Sequence, residues 1–238
     1  MCEIITIASG KGGVGKSTVI SLLAAALSKQ NKKVLLTDMD QGMRTLDLML
    51  GVSKNTVFDL YDIMTGNCTL EAAIHKTNGF DFIPAPLLLE HAVTQEQMSE
   101  LLLKIKPNYD YILLDCPAGI ESNFRIVTSI CDKTLITVTP DSISVRDGFF
   151  VGRILKKQNI CSRLIINKWN KKLVKKSIYK NIDEIIDETA VQLIAVIPED
   201  KEVKICGAKG ILAEKGKTYE AVIRLSKRLN GEEIPIVI

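Results

Sequence analysis

Nine residues near the start of the chain, Gly10-Lys11-Gly12-Gly13-Val14-Gly15-Lys16-Ser17-Thr18, restrict the fold more than any other stretch. Before them Ile4-Ile5-Thr6-Ile7-Ala8 reads as a buried strand, and after them Val19 to Leu27 reads as an amphipathic helix. The frame Gly10-x-x-x-x-Gly15-Lys16-Ser17 is then a P-loop between strand and helix, whose successive backbone N–H groups turn inward around phosphates. An anion held there sits at a helix N-terminus. Lys16 reaches the β- and γ-phosphates in this arrangement, and Ser17 ligates Mg²⁺. The bland alternative, a glycine-rich turn that binds nothing, needs the same fixed positions to coincide at a strand-to-helix junction.

Apolar strand runs recur near residues 3–8, 33–38, 80–84, 110–115, 133–139, 163–167 and 192–197, with helical patterns between them. Most are continuous rather than alternating, the pattern of strands covered on both faces of a parallel sheet. The chain has 238 residues, 46 % of them hydrophobic and 25 % charged, with no Pro/Gly/Ser-rich linker, repeat or low-complexity tract. One α/β domain over 1–238 is the expectation.

Lys11 is not needed by a phosphate loop, and as a second cation beside the γ-phosphate it can neutralise charge that develops during phosphoryl transfer. The run Asp110-Tyr111-Ile112-Leu113-Leu114-Asp115 is an apolar strand ending in a carboxylate, suited to holding Mg²⁺ through a water. With its extra lysine, Lys11-Gly12-Gly13-Val14-Gly15-Lys16-Ser17 resembles the deviant Walker A motif of the MinD/ParA family of ATPases, and the likeness is strongest to the MinD branch. The resemblance implies a doubly wound, mostly parallel sheet of P-loop NTPase architecture, with the P-loop strand central and beside the strand that ends in Asp115.

It also implies roles for particular residues. Lys11 reaches the nucleotide of the partner subunit in an ATP-dependent homodimer. The segment Thr37 to Leu48 is similar to switch I, whose aspartates Asp38 and Asp40 flank the γ-phosphate; Asp40 positions the attacking water and Asp38 joins Ser17 and Asp115 at the metal. Gly119 falls where switch II begins, and Glu121 beside it is assigned to the nucleotide. Val145-Arg146-Asp147 is similar to a segment whose aspartate pairs with the extra lysine in the monomer. Asn167, in Leu164-Ile165-Ile166-Asn167-Lys168, corresponds to the adenine reader, and Pro198-Glu199-Asp200 to a second adenine-side loop. ATP and Mg²⁺ are the implied substrate and cofactor, hydrolysis is slow without an activator, and regulators of the MinC and MinE kind are the implied partners. Taken residue by residue, Asp38, Asp40 and Asp47 also read as loop or cap carboxylates, and Asn167-Lys168 as a solvated strand end. Their common position at the C-terminal ends of strands, where open α/β sheets bind ligands, favours the functional reading.

Six cysteines (2, 68, 116, 131, 161 and 206) form no Cys-x-x-Cys pair and no zinc-like spacing with His75 or His91, so they read as reduced thiols. No signal peptide or run of ~20 apolar residues is present, and the expected location is cytoplasmic, with any membrane contact peripheral. Lys168, Lys171, Lys172, Lys175, Lys176 and Lys180 crowd around Trp169 and Tyr179, either as a solvated loop or as a patch for anionic lipid, DNA or an acidic partner. The final helix, near Lys217 to Leu229, carries Tyr219, Val222, Leu225 and Leu229 on one stripe. Residues 230–238 are acidic and contain proline, and so depart from the basic amphipathic helix usual in the MinD branch. A ParA-like DNA-partitioning ATPase, a flagellar-placement regulator and a non-hydrolytic interaction module stand as the other readings.

Overall fold

The computed structural model describes residues 2–88, 93–120, 122–171 and 178–238, with the Ser122 side chain left aside. Its centre is one eight-stranded sheet in the order β3-β4-β2-β5-β1-β6-β7-β8. The strands are β1 (Glu3–Ala8), β2 (Val34–Asp38), β3 (His75–Thr77), β4 (Phe80–Ile83), β5 (Tyr111–Asp115), β6 (Lys133–Val138), β7 (Cys161–Trp169) and β8 (Leu193–Pro198). Every neighbouring pair is parallel except β3 with β4. The sheet is therefore doubly wound and mostly parallel, with the P-loop strand β1 between β5 and β6.

The continuous apolar runs explain this order. Along β1, Ile4 and Ala8 face one core, while Ile5 and Ile7 face the other; along β5, Ile112 and Leu114 oppose Tyr111 and Leu113 in the same way. A strand apolar at every position is stable only where both faces are covered, and each fully buried Leu or Ile contributes about 1.5–3 kcal/mol. On the first face lie α5 (Gln95–Ile105), α6 (Ser122–Ser129), α7 (Ser142–Lys157) and α8 (Ile182–Thr189). On the second lie α1 (Lys16–Ser28), α2 (Leu46–Met49) and α10 (Lys217–Leu229), with α9 (Lys201–Ala208) packed at its margin. The short α3 (Leu60–Thr65) and α4 (Leu70–Ala73) lie between α2 and β3 in the chain.

Two sequence expectations change. The helix after the P-loop is not amphipathic, since Val19 to Leu27 are all buried. It lies between the sheet and α10, so no side of it faces solvent. The edge strand β3 was not expected, because three residues of sequence His-Lys-Thr carry no apolar run. It is made by the Asn78-Gly79 turn, whose two positive φ values (48° and 86°) are those of a tight hairpin.

The C-terminal helix begins and ends where expected. In its last turn Arg228 donates to the carbonyls of Ile194 on β8 and of Ile234 and Pro235 in the tail, and Ile236 packs against the first core. Among the described residues no helix is long and apolar enough to cross a membrane.

Candidate nucleotide and metal site

The loop between β1 and α1 is built around an unfinished helix end. Gly15 precedes α1 with φ 94°, a left-handed conformation that glycine adopts freely, and no side chain caps the helix. The first helical bond runs from Val19 N–H to the Gly15 carbonyl at 3.0 Å. The N–H groups of Lys16, Ser17 and Thr18 therefore have no acceptor within the helix, and with no acidic residue in the first turn the end is open to an anion.

The loop is gripped from the β7 side. Asn167 Nδ2 donates to the Val14 carbonyl at 2.7 Å, and Lys168 Nζ donates to the Gly13 carbonyl. A side chain at Gly15 would place its Cβ 2.6 Å from Asn167 Nδ2, and one at Gly10 would place it 2.6 Å from Asp147 Cβ. Both glycines are thus required by close approach. Asn167 is 7 % exposed, so the solvated strand-end reading does not hold for it.

Beneath the loop, Asp38 and Asp115 are register partners at the C-terminal ends of adjacent strands. Asp38 Oδ1 accepts the Asp40 N–H at 2.9 Å, and the Ser17 hydroxyl lies beside the Asp115 carboxylate. Asp38 Oδ2 and Asp115 Oδ1 are buried with no hydrogen-bond partner. Burial first, and then the charge of Asp115, push Asp38 well above the usual carboxylate range; Asp115 is raised by burial against the pull of Ser17 and Lys16. Asp40 is raised by burial and lowered by Lys16. Two facing buried carboxylates with unpartnered oxygens beside a serine hydroxyl fit a hard divalent cation that keeps waters and phosphate oxygens in its shell. Among the described residues no group of three His, Cys, Asp or Glu is placed to hold a metal ion.

A cleft of about 750 Å³ opens over these groups, lined by the P-loop, Asp40, Pro117, Ala118 and Lys168. Met43 and Thr45 from the loop after β2, Met49 from α2, Asn123 and Phe124 from α6, and Lys204 from α9 also line it. None of these six was singled out from the sequence. A smaller pocket adjoins it, where Asn167, Pro198, Glu199 and Asp200 meet Gly15 and Thr18. Asp200 also N-caps α9 by accepting the Glu202 N–H at 3.0 Å, and Glu199 pairs with Lys204 at 3.0 Å.

Lys11 stands apart from this cleft's floor. Its Nζ is 3.1 Å from Asp141 Oδ1, with both side chains about two-fifths exposed. This corrects the expected pairing with Asp147, which lies against Gly10 and pairs with Arg146 at 3.4 Å. Asp141 is the N-cap of α7, and its carboxylate takes the ammonium while that of Asp147, further along the same helix, is engaged by Arg146. Glu121 lies outside the described residues, as do His91, Lys172, Lys175 and Lys176 of the sequence reading. Trp169 and Tyr179 are buried, and the Tyr179 hydroxyl donates to Glu188 at 2.9 Å, so these aromatics belong to the core.

A parallel sheet whose central strand delivers a glycine loop onto a helix end, with acidic strand ends beside it, defines a P-loop nucleotide-binding protein. Residues 2–156 match the family model described as an AAA domain. The septum site-determining protein MinD of Synechocystis is 35 % identical over 100 % of this chain and 92 % of its own. Among solved structures, the MinC:MinD cell division protein complex of Aquifex aeolicus aligns with a TM-score of 0.91 at 35 % identity, covering 99 % of both chains. MinD of Pyrococcus horikoshii, complexed with Mg-ADP, aligns with a TM-score of 0.86 at 31 % identity over 97 % of this chain and 96 % of that one. The chain belongs to the MinD/ParA family of ATPases, on its MinD branch.

Proposed function

We propose that this chain is a Mg²⁺-dependent ATPase, one domain over 1–238, that dimerises on ATP and serves as a switch in placing the division septum. The observation that carries the reading is the in-register pair Asp38 and Asp115, each with a buried unpartnered oxygen at the foot of an uncapped glycine loop. The open N–H groups of Lys16, Ser17 and Thr18 bind the phosphates, and the Lys16 ammonium balances their charge. Ser17, Asp38 and Asp115 would hold Mg²⁺, which when bound neutralises charge on the phosphate oxygens. Asp40 orients a water toward the γ-phosphorus, and the P–O bond to the ADP leaving group breaks as the water oxygen adds. Lys11 leaves Asp141 to complete the site of a second copy, which ties turnover to dimerisation. Asn167 faces the base while bracing the loop.

The name of the Synechocystis relative and the MinC partner of the Aquifex protein support septum placement and a MinC-like regulator, with a MinE-like activator by the same kinship. A cytoplasmic protein with peripheral membrane contact fits that role. The test is phosphate release from Mg-ATP together with light scattering. Wild type hydrolyses slowly, Lys16→Ala does not, and Asp40→Ala with ATP accumulates as a dimer. Hydrolysis that persists in Lys16→Ala sinks the proposal.

A further inference from the structure

The helices α2 and α9 belong to opposite halves of the sheet. α2 follows β2, α9 follows β8, and four strands lie between those two. Their C-terminal ends nevertheless touch. Gly51 ends α2 with φ 71° and Gly210 ends α9 with φ 68°. Each is the left-handed residue of a helix-stopping turn, closed by Val52 N–H to the Asp47 carbonyl at 2.9 Å and by Ile211 N–H to the Cys206 carbonyl at 3.0 Å.

These two turns abut backbone to backbone. A Cβ on Gly51 would lie 2.7 Å from the Gly210 carbonyl oxygen. One on Gly210 would lie 3.0 Å from the Gly51 Cα and 3.1 Å from the Leu48 carbonyl oxygen. Neither neighbour is a flexible side-chain tip, so any side chain must part the helix ends. One turn back, the Met49 side chain approaches Gly207, where an added Cβ would stand 4.0 Å from its Cε. Met49 lines the phosphate cleft and, with Gly207, the adjoining pocket that holds Asn167 and Pro198. The seam thus lies one turn behind the Met49–Gly207 wall of a cavity whose opposite wall is the start of α1.

We infer that the Gly51–Gly210 seam holds the Met49–Gly207 wall against bound nucleotide and so sets how fast ADP leaves without taking part in the chemistry. The inference rests on the nucleotide reading above and deepens it. Both glycines lie outside the phosphate and metal groups, so parting the seam opens the base-side pocket and leaves Lys16, Asp40 and Asp115 in place. Release then quickens while the bound-state reaction keeps its rate, since changes in a binding wall fall mainly on dissociation.

Gly66 supplies the control. It ends α3 with φ 76° and the same kind of turn, Asn67 N–H to the Asp62 carbonyl at 2.9 Å, yet an added Cβ there meets nothing within 4 Å. Alanine at 51, 210 or 66 carries the same left-handed strain, and only the first two wedge the seam. The experiment measures release of N-methylanthraniloyl-ADP, bound with Mg²⁺ and chased by unlabelled ATP, beside thermal stability and single-turnover hydrolysis. Gly51→Ala and Gly210→Ala should release about tenfold faster than wild type and Gly66→Ala within about twofold, with larger thermal losses at 51 and 210 than at 66 and unchanged single-turnover rates in all three. Met49→Ala opens the same wall without touching a glycine and should also quicken release, which keeps the test intact if a glycine variant does not fold. Release from the seam variants as slow as from Gly66→Ala overturns the inference alone. A wild-type chain that binds no labelled Mg-ADP overturns it together with the nucleotide reading.

Discussion

Asp38 and Asp115 stand opposite one another at the ends of two neighbouring parallel strands, each with one carboxylate oxygen buried and unpartnered. Like charges so placed repel in the absence of a cation. Asp38→Asn should therefore raise the thermal stability of the nucleotide-free protein, by on the order of 1 kcal/mol, while reducing Mg²⁺-dependent hydrolysis at least tenfold by removing a metal-side charge. Thermal melts with and without Mg-ADP check it. A variant less stable than wild type without ligand counts against the repulsion.

The same pair sets a pH dependence. Both carboxyls are raised above the unfolded value of ~3.9. From that value up to the native ones, the folded chain holds more protons than the unfolded chain, so its stability falls as pH rises, by up to ~1.4 kcal/mol per pH unit for each proton of difference. Denaturant titrations of the nucleotide-free protein should show this decline through the mildly acidic range. Saturating Mg-ADP should flatten it, because a bound cation favours both ionised forms. A nucleotide-free protein that gains stability over that range contradicts the assignment.

Much of the site was legible because loops that bind phosphate need particular residue types at fixed spacing: Gly15, Lys16 and Ser17 announce the helix end, and the apolar runs before Asp38 and Asp115 announce the strand ends. What the sequence left hidden depends on distance between remote segments. That Asp141 and not Asp147 meets Lys11 follows from the loop geometry before α7, to which the Val-Arg-Asp likeness is blind. Asn167 was readable as a residue of the site, whereas its grip on Val14 requires β7 to lie beside the P-loop. Met49 and Lys204 carry no motif and enter the cleft only through the packing of α2 and α9. The hairpin at His75 had one available signal, the Asn78-Gly79 dipeptide.

The Lys11–Asp141 pair is exposed and should add well under ~1 kcal/mol to stability. Lys11→Ala is expected to melt like wild type and bind ATP, yet stay monomeric by light scattering. Asp141→Ala also removes the cap that accepts the Ser144 N–H at 3.0 Å and the Thr139 hydroxyl, and should cost about 1 kcal/mol. Equal melting losses in the two variants would assign the pair a structural weight that the geometry does not give it.

Asn167→Ala removes the bond to the Val14 carbonyl in a buried position and leaves that oxygen unpaired, a loss of ~1–3 kcal/mol. Because the P-loop itself loosens, affinity for ADP and GDP should fall together, by roughly tenfold or more. Calorimetric titration of both nucleotides decides the matter. A loss confined to ADP would mean that the amide acts on the base alone.

The strand β8 closes one side of the sheet, and a strand with no neighbour offers its backbone to any chain that can pair with it. In this protein the Ile194 carbonyl on that strand accepts from the Arg228 guanidinium, which also holds Ile234 and Pro235 of the tail, while Ile236 rests on the core. One cation on the last helix thereby governs how the molecule behaves in a crowd. With the tail fastened the sheet stops at eight strands; with it loosened, copies can add to one another edge to edge, and solubility would come to depend on protein concentration.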